Sequence, residues 1–95
     1  MARPLSELIS TVPAQPGTYV LLGINGMRYT GAARNLLDRL KDHQAGRGKR
    51  TKNQRPLCLL HVETTESYTV ALKREQFLKS GAGRAWLQKL QTVSP

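Results

Sequence analysis

Asn25-Gly26 sits between two runs of strand formers, Gly17-Thr18-Tyr19-Val20-Leu21-Leu22 before it and Met27-Arg28-Tyr29-Thr30 after it. This arrangement commits the chain to a tight β-hairpin. β-Branched and aromatic residues favour a pleated backbone, and an Asn-Gly pair turns it back within a few residues. Loop length then decides which side chains share a face, because strand side chains alternate. A two-residue loop would pair position 22 with Tyr29 and put Tyr19 and Tyr29 on opposite faces. A three-residue loop, Ile24-Asn25-Gly26 with Gly26 at the left-handed bulge position, pairs Tyr29 with Leu21 and gives the tyrosines one face. A site shared by both tyrosines therefore requires the odd loop or an equivalent bulge.

Past the hairpin, Asn35 is a good N-cap for a helix carrying Leu36, Leu37 and Leu40, and Gly46 is a plausible stop. Leu57-Cys58-Leu59-Leu60-His61-Val62-Glu63 reads as a third, buried strand. Thr64 or Thr65 can cap a helix over about 66–79, which Ser80-Gly81 ends. Arg84 to Gln91 is a last short helix, packing through Trp86, Leu87 and Leu90. Upstream, Leu5-Ser6-Glu7-Leu8-Ile9 is at most a short amphipathic turn, and Pro13 and Pro16 keep the next segment extended or looped. The order ββαβαα predicts an α+β fold, a small, mainly antiparallel sheet flanked by helices. Ninety-five residues allow one domain. It is expected over 16–91, with an N-terminal extension (1–15) and a tail (92–95).

Charge bears on the partner rather than the fold. Fifteen Lys+Arg against six Asp+Glu give a formal charge of +9 and a pI near 10.5. Such a balance favours nucleic acid over an anionic membrane surface. The charge is also clustered: Arg47, Lys49, Arg50, Lys52 and Arg55 share one loop without an anion, and two glycines keep that loop mobile. These five cations, with Arg34 ahead of the first long helix, are candidate contacts to a phosphate backbone. Aromatics make up only 5% of the chain, which argues against base stacking on that loop. The single cysteine, Cys58, excludes an internal disulfide and a cysteine zinc site. A reducing cytoplasm is expected, with nucleoid association in a bacterium. No apolar run approaches the ~20 residues of a membrane span, and Met1-Ala2-Arg3-Pro4-Leu5 resembles no signal peptide.

Two polar placements stand out on the helices. Arg39 and His43, spaced i, i+4, fall at the border of the arc formed by Leu36, Leu37 and Leu40. Taken alone, they read as a snorkelling arginine beside a surface histidine. Glu75 lies inside the stripe of Tyr68, Ala71, Leu72 and Leu78. A carboxylate facing the protein must be paired, protonated or bound to a cation. An ion pair to Arg39 or Lys79 and a metal ligand at a cleft both satisfy that. His61 reads as structural and Trp86 as core.

Taken in order, Gly17-Thr18-Tyr19, Tyr29-Thr30-Gly31, Asn35-Leu36, Arg39-Leu40, His43, Arg55-Pro56-Leu57 and the Ala71, Glu75, Lys79 helix resemble the GIY-YIG nuclease family. The match spans about residues 16 to 90. It is closest in kind to small stand-alone members, and Pro16-Gly17-Thr18-Tyr19 is also similar to the N-terminal nuclease domain of the bacterial excision-repair incision subunit. The resemblance implies a three-stranded antiparallel sheet flanked by helices. It also implies a divalent-metal-dependent DNA endonuclease acting on structured or branched DNA in repair or recombination. Glu75 would hold one Mg²⁺ or Mn²⁺, and a single carboxylate with several waters suits Mg²⁺. Tyr19 or Tyr29 would orient or deprotonate the attacking water. Arg39 would hold the scissile phosphate, and His43 would carry a proton or contact the phosphate. A tyrosine with the usual pKa near ~10 is a weak base at neutral pH, so its proton must be labilised by the metal or by Arg39.

The sequence departs from the family pattern in places. Thr18 and Thr30 replace apolar residues, and Ala32 stands where excision-repair relatives carry lysine. No asparagine follows Glu75, and Gln88 is only a loose substitute. The alternative is a nucleic-acid-binding or adaptor module of the same fold. Either form is expected as a monomer or weak dimer, with a targeting protein partner as one source of specificity.

Overall fold

A computed structural model describes residues 3–92, with side chains described through residue 90. Four antiparallel strands form one sheet in the order β1-β4-β2-β3: β1 (Arg3–Pro4), β2 (Gly17–Leu22), β3 (Arg28–Ala33) and β4 (Cys58–Thr64). The helices are α1 (Leu5–Leu8), α2 (Leu36–Gln44), α3 (Tyr68–Lys79) and α4 (Gly81–Thr92). The α+β class and the antiparallel sheet flanked by helices are as expected. The addition is β1, whose Arg3 and Pro4 pair with Leu59 and Cys58. With Leu5 and Val12 buried, residues 3–15 contribute to the core. The expected tail lies outside the described residues from position 93 on.

The hairpin takes the odd loop. Leu22 pairs with Arg28 and Leu21 with Tyr29, and Gly23 N–H donates to the Met27 carbonyl at 2.7 Å, leaving Ile24-Asn25-Gly26 as the turn. Gly26 has φ +88°, a conformation cheap only without a Cβ. Tyr19 and Tyr29 thus share a face, their ring centroids 6.3 Å apart.

β2 is buried from both sides. On one face Tyr19 and Leu21 pack with Leu36 and Leu40 of α2, and with Leu5, Leu57 and Leu59. On the other, Val20 packs with Leu78 of α3 and Leu87 of α4. A bulge in β4 serves both layers: Val20 faces His61 and Leu21 faces Leu59, leaving Leu60 as the extra residue, packed on the Val20 side.

The helix signals hold for α2. The Asn35 side chain accepts from Asp38 N–H at 3.0 Å, and Gly46 follows the helix with φ +85°. For α3 the cap is Ser67 rather than Thr64 or Thr65, since β4 runs through Thr64 and Thr65 N–H donates to the Pro16 carbonyl. Leu72 and Leu90, expected to pack, are 38% and 49% exposed, and Trp86 is only half-buried. The inner line of α3 runs instead through Ala71, Glu75 and Leu78.

α3 is tied to the sheet by Arg74. Its guanidinium makes two bonds to the Glu63 carboxylate of β4, 2.7 and 3.0 Å, and stacks on Phe77 and Trp86. His61 Nε2 lies 2.8 Å from the same carboxylate, which supports its structural reading. Although burial raises the Glu63 pKa, the Arg74 and His61 contacts hold it below the usual carboxylate value.

Gly31 pairs with Tyr19, and the Tyr19 ring lies directly over it, so a Cβ at position 31 would collide with the phenol. Gly31→Ala is expected to cost about 1–3 kcal/mol in denaturant unfolding through forced displacement of that ring. Gly81→Ala, at a helix start with open space around it, is expected to hold stability or raise it by about 0.5 kcal/mol.

Candidate active site

Tyr19, placed by β2, is 1% exposed, and its hydroxyl lies 2.8 Å from His43 Nε2. His43, from the last turn of α2, is also 1% exposed. Its place is therefore inside the core, not the helix rim that its spacing suggested. Its Nδ1 lies 2.7 Å from the hydroxyl of Thr51, which is fully buried. Tyr29 stands beside this chain, its ring 5.3 Å from that of His43.

Burial, with the Arg39 charge behind it, lowers the His43 pKa to about 4, against the weaker pull of Asp42. The imidazole is neutral at pH 7, so one ring nitrogen carries a proton and the other accepts. Its two neighbours, the Tyr19 and Thr51 hydroxyls, are both buried, so the neutral ring accepts from one of them and donates to the other.

Arg39, one turn before His43, lies against both tyrosine hydroxyls. Its pKa rises because this contact outweighs the opposing effect of burial. Its ion pair with Asp42 is long, 3.9 Å, leaving the guanidinium available to an anion. The Tyr19 phenol is pushed above its usual pKa, first by burial and then by Tyr29; Arg39 opposes and Glu75 adds to the rise. Tyr19 is thus the buried member of the tyrosine pair and Tyr29 the half-buried one.

Glu75 completes the group from α3. Its side chain is 19% exposed, with Lys79 Nζ at 3.5 Å. The ion pair expected as one alternative is present with Lys79 and not with Arg39, and at this length it is loose. No three His, Cys, Asp or Glu side chains converge on a metal position among the described residues. One accessible carboxylate still fits a hard divalent ion that keeps several waters and takes substrate phosphate oxygens.

The basic loop is more anchored than its composition suggests. Arg47 pairs with Asp42 at 2.8 Å, and Arg55 donates to the Lys52 carbonyl at 2.9 Å, so both hold the loop. Lys49, Arg50 and Lys52 are exposed. Arg34 stacks over Tyr68 at 4.3 Å and shares a shallow groove with Arg39. Thr51 escaped the sequence reading. Its only mark there is a lone small hydroxyl residue among cations, three after Gly48.

Residues 15–90 match the family model described as the GIY-YIG catalytic domain. Among curated proteins, the chain is 38% identical over 77 residues to a UPF0213 protein of Syntrophus aciditrophicus, covering 79% of this chain and 85% of that one. UPF0213 proteins of Natronomonas pharaonis and Staphylococcus aureus are 38% identical over 63 residues, 65% of this chain and 74% and 77% of theirs. No solved structure matches the chain.

The buried neutral histidine sets a pH dependence. Unfolded, His43 binds its proton near the ordinary histidine value of 6.5; folded, it does so only near 4. Between those values the unfolded chain holds more protons, so stability rises with pH and is lost on acidification. The loss from this group is at most about 3 kcal/mol. Denaturant unfolding at pH 7, 5.5 and 4 is expected to show it, and His43→Gln to flatten it. Glu63 contributes in the same direction at lower pH, below its unfolded carboxylate value.

Proposed function

The chain belongs to the GIY-YIG catalytic-domain family, a nuclease family, and from that premise we propose that it is a divalent-metal-dependent DNA endonuclease. It hydrolyses phosphodiester bonds in structured or branched DNA, in repair or recombination, in the cytoplasm. The supporting observation is the convergence of Tyr29, Arg39 and the buried Tyr19–His43 pair on one side of a site whose other side is Glu75. No helix among the described residues is long and apolar enough to cross a membrane.

In this reading Glu75 holds one Mg²⁺ or Mn²⁺. Such an ion supplies Lewis acidity toward a phosphate oxygen and charge relief to the leaving oxygen. Arg39 grips the scissile phosphate and compensates the negative charge that grows on it. Tyr29, half-exposed and beside Arg39, orients the attacking water through its hydroxyl. Tyr19 works behind it. Held by its hydrogen bond to His43, it fixes the Arg39 guanidinium. His43 and Thr51 lie too deep to reach substrate, so both act as positioning groups. Lys49, Arg50 and Lys52, with Arg34, lead the backbone in, and their contribution is salt-dependent.

The test uses supercoiled and branched DNA with Mg²⁺, with Mn²⁺ and with chelator. The expected result is nicking that needs the metal and falls at least about 100-fold in Glu75→Ala. Tyr29→Phe is expected to lose cutting while binding in chelator is unchanged. Binding without cutting in either metal would replace the nuclease by a binding or adaptor module of the same fold.

A further inference from the structure

The hairpin that carries both tyrosines ends in an apolar tip. Ile24 is 66% exposed, the most exposed large hydrophobic side chain among the described residues. Turns are dominated by Gly, Pro, Asn, Asp and Ser, and a β-branched apolar residue has none of their advantages there. The turn that presents it is locked. Gly26 N–H donates to the Gly23 carbonyl at 3.0 Å, and Met27 N–H to the Asn25 side chain at 3.1 Å. Ile24 N–H itself donates to the Gln54 carbonyl at 2.9 Å, and a Cβ on Gly23 would collide with the Gln54 side chain. The tip is therefore docked on the basic loop with its isoleucine held outward.

The charge around this tip has one sign. Neither the hairpin (17–33) nor the loop 46–57 contains Asp or Glu. Lys52 shares a single helical turn with Gln54, and Arg28 opens the return strand of the hairpin. Arg28, Arg50 and Lys52 are exposed and make no ion pair with any described residue. Arg28 and Arg50 line one opening with Tyr29, so this charge runs on to the catalytic group. A lone exposed aliphatic side chain needs no explanation, but one held rigidly among unpaired cations does. DNA uses both features: its phosphates take the cations, and a base step admits an aliphatic wedge. An anionic membrane would need a broader apolar face than one side chain.

Strand geometry sets the spacing. Leu21 pairs with Tyr29, and Ile24 lies three residues beyond Leu21. At ~3.3 Å per residue the tip stands about 10 Å from Tyr29, or about three base-pair steps. Building on the nuclease reading, we propose that Ile24 is a wedge that enters a DNA base step about three base pairs from the scissile phosphate. Arg28 and Lys52 hold the phosphates beside that step. Opening a step costs stacking energy, and a mismatch lowers that cost, so DNA with a weakened step is preferred over intact duplex.

Fluorescence in chelator reads the wedge without any cutting. The probes are a matched duplex and the same duplex with one mismatch, each with 2-aminopurine beside that position, which brightens on leaving the stack. The full chain is expected to bind the mismatched probe roughly tenfold tighter than the matched one and to brighten it. Ile24→Ala is expected to abolish both the preference and the brightening, Ile24→Leu to keep them, and Lys52→Ala to weaken the two probes alike. With metal, cuts are expected about three base pairs from the mismatch. Brightening that survives Ile24→Ala would overturn the wedge, as would equal affinity for the two probes. Binding to anionic phospholipid vesicles that is lost in Ile24→Ala, with neither probe brightened, would overturn it in favour of a membrane contact. Metal-dependent nicking without brightening refutes the wedge and leaves the nuclease standing. Ile24-dependent brightening without nicking does the reverse.

Discussion

The site depends on a histidine kept neutral and out of water. His43 lies between two hydroxyls, Tyr19 at 2.8 Å and Thr51 at 2.7 Å. Three elements meet in that chain: the central strand, the first long helix and the basic loop. Burying three polar side chains is tolerable only when their donors and acceptors match, and a mismatched member would carry a desolvation cost of about 1–3 kcal/mol. The positioning of Tyr19, and through it of Arg39, is therefore built into the stability of the fold. The same chain ties the basic loop to the imidazole through Thr51.

The opposite half of the site is held by different physics. Glu75 is delivered by a helix whose placement rests on Ala71 and Leu78 in the core and on Arg74 locked to Glu63. The residue before the carboxylate is thus the anchor of its helix. Among the described residues Glu75 is left with one loose ion pair, to Lys79, which the proposed metal ion would replace. Rigidity on both sides and one replaceable ion pair between them is the arrangement that preorganised charge stabilisation requires.

Local signals carried much of this into the sequence. Asn25-Gly26 and the need for a shared tyrosine face implied the odd hairpin loop or an equivalent bulge, because strand alternation ties face to register. Asn35 and Gly46 bounded α2 through cap chemistry that acts within one turn. Glu75 declared itself by standing in an apolar stripe. What stayed hidden depends on contacts between distant segments. Thr51 sits in a run of cations, and only the fold of its loop onto His43 buries it. Helical spacing placed His43 at a border, and the loop closing over it moved it inside. Leu72 fits the period of α3, yet no element covers it. The two-residue strand β1 exists only because β4 offers an edge, and Ser67 displaces Thr64 as a cap because β4 claims that threonine.

The most direct measurement is the ¹⁵N NMR spectrum of the His43 ring as a function of pH. The buried chain predicts a neutral imidazole at pH 7, one ring nitrogen protonated and the other accepting, that titrates near pH 4. A ring that titrates near 6.5 like a solvent-exposed histidine would contradict the buried chain on which this description of the site rests.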